Sequence, residues 1–392
     1  MNKYIHDSIR NNLRSIISGC SVPQQKAITE VVRGLFTEGS PILRHLAQNQ
    51  EVSAKKQGDK YAHHLGNVVL TKKVEKFALK RAKPEIKHDT IIAYDLSDIS
   101  KECSRKMDKI ARVWDGSKRK VTNGYTLHGV GINTMLCRLK IHNGDKYFQN
   151  QLRREIVTKI ANKIDKKGVW VFDRGNDDKN FFRFLSSELK VRFIARLKEN
   201  RQVVLKKTGV LIKVKNLKPG KYPIFLMNRY NQKPETSMEY VLVIKKHLDN
   251  DEPIRLISNL HYYRYSKNKI VTMYLERWGV ENIFKHVKTK FGLESVRVLD
   301  YQKLLNLVAL IQFATIISTL IFASLLQSTT ALLSGLLLIY KRFLKVKSLN
   351  MNIDSFISFM KTALNPFVFR NHSPPNQQNL FSFPHLKKLG SF

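Results

Sequence analysis

Residues 1–87 carry apolar positions at helical spacing, in IRNNLRSIISG and again in ITEVVRGLF, with turn signals at Ser21, Val22 and Pro23 and at Gly39, Ser40 and Pro41. That pattern predicts a mostly helical N-terminal region. At Asp89 the period changes. TIIAYDLSDIS has a short apolar run that meets a carboxylate, Asp95, which reads as a buried strand delivering an acid at its C-terminal end. Residues 125–142 predict two further strands with a turn near Gly131 and Asn133, and residues 146–166 a helix. GVWVFDRGNDD then repeats the earlier device: an apolar strand, an acid at its end (Asp173), and Gly175 to turn the chain.

Between 191 and 262 β-branched and basic residues alternate, as in VVLKKTGVLIKVKNL and YVLVIKKHL, which predicts a β-rich insertion. A helix is predicted over 274–290 and apolar helices over 302–345. The tail beyond Asn365 reads as loosely ordered. The expected division is a helical DNA-binding region at 1–87, the first part of a catalytic domain at 88–190, the insertion at 191–262, completion of the catalytic domain at 263–345, and a basic tail at 346–392. Residues 304–326 lack charge and are long enough to span a bilayer. They also hold Asn306, Gln312, Thr315, Ser318, Thr319 and Ser324, so a buried core helix is the expectation, without stable membrane insertion.

Charge narrows the partner. Among 392 residues, 69 Lys and Arg stand against 31 Asp and Glu, a formal net charge of +38, spread along the whole chain. A polyanion is the expected partner, nucleic acid before an anionic membrane or a ribosome-like structural role. Cys20, Cys103 and Cys137 are far apart, which argues against a zinc site or a disulfide framework. With no apolar signal segment in MNKYIHDSIRNNLRS, a reducing cytoplasm is the expected location.

The segment YLERWGVENIFKHVK contains Tyr274, Arg277, Glu281 and Lys288 in the order Y-x2-R-x3-E-x6-K. On one helix, Tyr274, Arg277, Glu281, Lys285 and Lys288 fall within an arc of roughly 80°. Met273, Val280, Ile283, Phe284, Val287 and Phe291 gather beside that arc. Each acid has an ordinary structural use: Asp95 as a helix cap, Asp173 as a turn residue, Glu281 as the ion-pair partner of Arg277 or Lys285. Taken together, two strand-borne aspartates and a helix-borne glutamate form a hard-oxygen set that two divalent cations, Mg2+ or Mn2+, could share. Such ions, about 4 Å apart, activate a water or 3′-hydroxyl and stabilise the departing oxygen at phosphorus.

With those motifs in place, the chain resembles the DDE transposases of bacterial insertion sequences, in the branch marked by the Y-x2-R-x3-E-x6-K signature. The resemblance covers about residues 88–325, through YDLSDISK, VFDRGND, the β-rich run, PIRLISNL and the signature. It implies an α/β, ribonuclease-H-like catalytic core with Asp95, Asp173 and Glu281 as catalytic metal ligands. It also implies that Tyr274, Arg277 and Lys288 contact DNA near the element end, with Trp278 and Lys285 in the same DNA-binding set. Relatives can carry a stacking tryptophan in the insertion for a hairpin step. Here no Trp lies between Lys198 and Lys269, leaving Tyr222, Phe225 or Tyr230 as aromatic substitutes.

The expected function is therefore DNA transposition: binding of terminal inverted repeats, metal-dependent cleavage at the ends, and joining of the freed 3′-hydroxyls to target DNA by a synaptic homodimer. A nuclease of the same fold and a non-catalytic DNA-binding descendant are the alternatives. The three carboxylates are expected to converge on one metal pair, with Arg277 and Lys288 lining the same groove. Lys118, Arg119 and Lys120 are secondary candidates for phosphate contact. Arg153 and Arg154 read as residues of a covering helix with no required function.

Overall fold

The computed structural model describes residues 2–47, 52–116, 118–133, 135–142, 148–227, 233–246, 252–327 and 353–364. Four helices open the chain: α1 (Asn2–Ile17), α2 (Val22–Glu38), α3 (Ala54–Gly66) and α4 (Thr71–Ala82). The turn signal at Ser21 works as a cap, because its backbone N–H donates to the Gln24 side chain in a capping box.

A large sheet follows: β1 (Ile91–Ser100), β2 (Ala111–Asp115), β3 (Lys120–Ile132), β4 (Met135–Ile141), β5 (Val169–Phe172), β6 (Arg192–Arg196), β7 (Gln202–Leu205), β8 (Leu211–Lys213), β9 (Gly220–Leu226), β10 (Tyr240–Lys245) and β11 (Ile254–Ser258). Its order is β2-β3-β1-β5-β6-β11-β10-β9-β7-β8, with β4 paired to β3. Only β1, β5 and β6 run parallel, and β5 is buried at every position, as an apolar VWVF strand covered on both faces requires. The β-rich run from 191 does not fold apart. β6 is a core strand beside β5, and β7 to β11 continue the same sheet outward.

Helices α5 (Gln149–Lys163) and α6 (Lys179–Arg183) cover one face, where Leu152, Ile156 and Phe181 meet Ile92, Tyr94, Trp170 and Phe172. The opposite face receives α7 (Lys267–Leu275) and α8 (Trp278–Lys290). There α7 packs over Ile91, Val169 and Val171, and α8 packs over Ala93. Alternation along β1 puts Ala93 and Asp95 on the α7–α8 face.

Residues 301–327 form one helix, α9 (Tyr301–Gln327); the rest of the apolar run predicted to 345 lies outside the described residues. Long and apolar enough to cross a membrane, α9 is nevertheless buried over 83% of its most apolar stretch, beneath α1 to α4 and β4. Its buried polar residues Asn306, Gln312, Thr315 and Ser318 are each hydrogen-bonded. Asn306 donates to the carbonyls of Leu65 and Val68 and accepts the N–H of Leu70, each at 2.8 Å. Gln312 donates to the Cys137 carbonyl at 2.9 Å and accepts the Leu139 N–H at 3.1 Å, so it covers the edge of β4. The N-terminal helices are thus part of the main core.

Within the basic tail assigned to 346–392, ahead of the stretch from Asn365 read as loosely ordered, a helix is present. Residues 353–364 form α10 (Ile353–Leu364), which buries Phe356, Ile357 and Met360 in the α9 core and ties to α8 through Asp354 to His286 and Ser358 to Lys290. Residues 346–352 and 365–392 lie outside the described residues.

The seat of α8 is set by two glycines on β3. Gly129 pairs with Asp95 and Gly131 with Ala93. A Cβ at Gly129 would overlap the Phe284 ring, and one at Gly131 would overlap Val280. Gly129→Ala should therefore cost about 1–3 kcal/mol, the usual range for overpacking a filled site. Denaturant unfolding checks this, and Phe284→Leu in the same chain should recover part of the loss through a non-additive cycle.

Candidate active site

Asp95 sits where β1 loses a neighbour. Parallel pairing of β1 with β5 runs from Ile91 opposite Val169 to Tyr94 opposite Phe172, and the next residue on each strand is an aspartate, Asp95 and Asp173. Beyond that rung β5 ends and the chain turns at Arg174–Asn176, while β1 continues against β3 as far as Ser100. The predicted strand end at Asp95 is thus a mid-strand position, and only its β5 side opens. Neighbouring strands are roughly 4.8 Å apart, so the two acids leave the sheet side by side.

The signature was expected on one helix over 274–290. It is divided instead. Tyr274 lies near the end of α7, Arg277 immediately precedes α8, and Glu281 occupies the first turn of α8. At the join, Arg277 N–H bonds to the Tyr274 carbonyl at 3.0 Å and Val280 N–H to the Arg277 carbonyl at 2.9 Å, three-residue closures that overwind the backbone. The side chains consequently leave a single stripe. Tyr274 and Arg277 turn inward at 3% and 6% exposure, whereas Glu281 is 48% exposed.

Arg277 bridges two of the acids. Its Nη1 lies 3.2 Å from Asp95 Oδ2 and its Nη2 lies 2.6 Å from Glu281 Oε1. Lys288, in the last turn of α8, is engaged by Glu294 at 2.8 Å and by Asp98 at 3.5 Å. Two cations, Arg277 just before α8 and Lys288 in its last turn, thereby hold the helix along β1, at Asp95 and at Asp98. Lys285 and Trp278 point outward, Trp278 being 52% exposed.

The acids also sense one another. Burial pushes the Asp95 carboxyl up to about 7, and Arg277 and the Leu96 N–H, which bonds Asp95 Oδ1 at 2.9 Å, only partly oppose this; Asp173 and Glu281 add to the rise. Burial also raises Tyr274, with Arg277 and Arg196 pulling it down and Asp173 pushing it further up. Tyr274 therefore lies in the field of Asp173.

Asp173 is oriented from below by residues not assigned a role from sequence. The Asn176 amide donates to Asp173 Oδ1, and Arg153 Nη1 donates to Asn176 Oδ1 at 2.9 Å. Arg153 is fixed in turn by Asp178 at 3.0 Å and by the Phe181 ring at 3.8 Å from its centroid. The signal in sequence was the spacing within DRGNDD, where an amide three residues after an acid can turn back onto it. A buried arginine on α5 carries no such local signal.

Among the described residues, no three His, Cys, Asp or Glu side chains stand close enough to hold one metal ion. The observed cation between Asp95 and Glu281 is the Arg277 guanidinium. The donor set still fits a hard divalent ion, because it consists of carboxylate oxygens whose mutual repulsion already raises the proton affinity of Asp95. Elsewhere, Lys118 and Lys120 both pair with Glu102, and Tyr222 donates to the Lys218 carbonyl at 2.8 Å within the β9 region. Tyr230 lies outside the described residues.

Comparison with known proteins gives the family of the chain. No curated protein matches the chain. Among solved structures, one described as "Cryo-EM structure of piggyBac transposase synaptic complex with hairpin DNA" aligns with a TM-score of 0.46 and 9% identity, over 97% of this chain and 85% of that one. A family model described as "Transposase DDE domain" matches residues 88–317, from just before β1 into α9, and so spans Asp95, Asp173 and Glu281. With more than half of its length covered by that match, the chain belongs to the transposase DDE-domain family.

Proposed function

We propose that the protein is the transposase of a bacterial insertion sequence, in the branch marked by Tyr274, Arg277, Glu281 and Lys288. It binds the element's terminal inverted repeats, cleaves at the ends by metal-dependent phosphodiester hydrolysis, and joins the 3′-hydroxyls to target DNA. It works in the cytoplasm as a synaptic homodimer on a ribonuclease-H-like core. The observation that carries the reading is the shared field at the sheet opening: Asp95 and Asp173 leave adjacent parallel strands at one level, and Glu281 reaches Asp95 through Arg277.

Asp95, Asp173 and Glu281 would hold two Mg2+ or Mn2+ ions. Bound there, the ions supply activation of the attacking hydroxyl and stabilisation of the departing oxygen. The protein's own contribution is placement. Asn176 fixes the Asp173 carboxylate, and the Leu96 N–H fixes that of Asp95. Trp278 and Lys285, outward on α8 beside Glu281, are proposed to meet the DNA near the scissile phosphate, with Tyr274, Arg277 and Lys288 behind them. The net charge of +38 supports a DNA partner, since phosphate neutralisation dominates such binding.

Purified protein with Mg2+ and a duplex bearing the element's ends should yield end-specific nicks and strand-transfer products. Asp95→Ala, Asp173→Ala and Glu281→Ala should each reduce both products to background while end binding at fixed salt stays within about twofold. Full activity in Glu281→Ala would overturn the assignment. Cleavage without joining would identify a nuclease, and binding without chemistry a non-catalytic descendant.

A pH prediction follows from Asp95. In the unfolded chain an aspartate releases its proton near 4, whereas the folded chain keeps this one until about 7. The folded state therefore binds more protons in that window, so metal-free stability should fall as pH rises from about 4 to about 7. Thermal unfolding in chelator should show the decline, and Asp95→Asn should remove that component. Added Mg2+ should restore stability most above pH 7, where Asp95 has given up its proton.

A further inference from the structure

On the far side of the sheet from the carboxylates, α4 and α5 enclose a groove of about 540 Å³ lined by Lys72, Lys76, Lys80, Lys83, Lys159 and Lys163, with Glu75 and Leu79 in its floor. The lysines follow the helices in register. Lys72, Lys76 and Lys80 recur every four residues on one side of α4, Lys83 follows directly after the helix, and Lys159 and Lys163 sit one turn apart on α5.

The groove's single acid is already satisfied. Glu75 is buried and pairs with buried Arg138 at 2.9 Å, with Lys159 and Lys163 each at 3.4 Å. Lys83 pairs with exposed Asp165 at 3.1 Å. Lys72, Lys76 and Lys80 are exposed and make no ion pair among the described residues. Like charges this close on one helix repel, so the fold gains nothing from the row by itself. A ligand with regularly spaced negative charge would relieve it.

We propose that this groove is a second DNA-binding site, which grips the phosphate backbone of a duplex without reading its sequence. Lysines on both walls suit a ridge of phosphates, since DNA presents a charge every ~3.4 Å along each strand. The groove lacks the planar readers of base edges: Lys ammonium groups are mobile point charges, and no Arg, Asn, Gln or aromatic residue lines it. A flat anionic bilayer fits poorly, because the charges line a concavity whose apolar element is Leu79 in the floor. Lying behind the sheet, the site would hold DNA away from the reacting phosphate, either the flank of the bound end or a second duplex. The proposal rests on the functional reading above only for the identity of the polyanion.

The test is a salt titration of full-length protein against a random-sequence 40-bp duplex without inverted repeats. Lys72→Gln, Lys76→Gln, Lys80→Gln and Lys159→Gln combined should weaken binding at least tenfold near 0.1 M salt. They should also make the slope of log K against log salt less negative by about 3.6, at ~0.9 for each of the four lost phosphate contacts. The same four positions changed to Arg should keep wild-type affinity and slope. Because the contacts are to backbone, an inverted-repeat duplex should lose the same factor. An unchanged slope in a folded glutamine variant would overturn the site. If that variant fails to fold, footprinting of wild-type protein decides: absence of protection at Lys76 and Lys80 on duplex binding overturns it equally. Loss of strand transfer in Asp95→Ala leaves this result untouched, so the two readings fail separately. Equal binding to anionic vesicles, competing with duplex, would also count against a DNA groove.

Discussion

The approach of α8 to the sheet governs where everything else sits. A helix normally stands off a sheet by the depth of two side-chain layers, and here one layer is missing under Phe284 and Val280, because Gly129 and Gly131 present only backbone. Closeness at that point brings the first turn of α8 down to the level at which Asp95 and Asp173 leave their strands. Arg277 then spans the remaining gap with a planar fork that matches two carboxylates at once. Without the glycines the glutamate would ride high and the fork would fall short.

Much of this was legible in the chain, and for identifiable reasons. Both aspartates end apolar runs, and a buried strand can expose a charged group only where a neighbour stops, so the pattern itself marks a sheet opening. The register that puts Asp95 level with Asp173 is a long-range property of β1 and β5, and no local signal encodes it. The break between α7 and α8 was hidden because Glu276 and Arg277 are ordinary helix formers with right-handed dihedrals; a change from four-residue to three-residue closure leaves composition untouched. The helix α10 was missed for the opposite reason, since its apolar face stands next to polar, Pro-containing sequence that reads as tail.

Burial explains the division of labour among the basic residues. A chain with this surplus of Lys and Arg could scatter them as solubilising charge, yet several are taken inside. Arg138 sits against Glu75, Arg153 behind Asn176, Arg277 between two acids, each with its charge met. Arginine fills these inner roles because its delocalised, weakly hydrated head tolerates removal from water. Lysine stays outside, where α4 and α5 array it.

The hydrogen bond from Leu70 to Asn306 joins positions 236 residues apart. During synthesis the four N-terminal helices leave the ribosome long before α9 exists, although their apolar faces are shaped around it. They must wait, partly uncovered, while the entire sheet is made. Contacts of such sequence separation make closure of the core a late and slow event. Because α9 seals both the N-terminal helices and the β4 edge, a chain interrupted before 301 leaves both exposed at once. Completion of α9 is thus a checkpoint for the described fold, tying closure of the N-terminal helices and of the β4 edge to translation through residue 327.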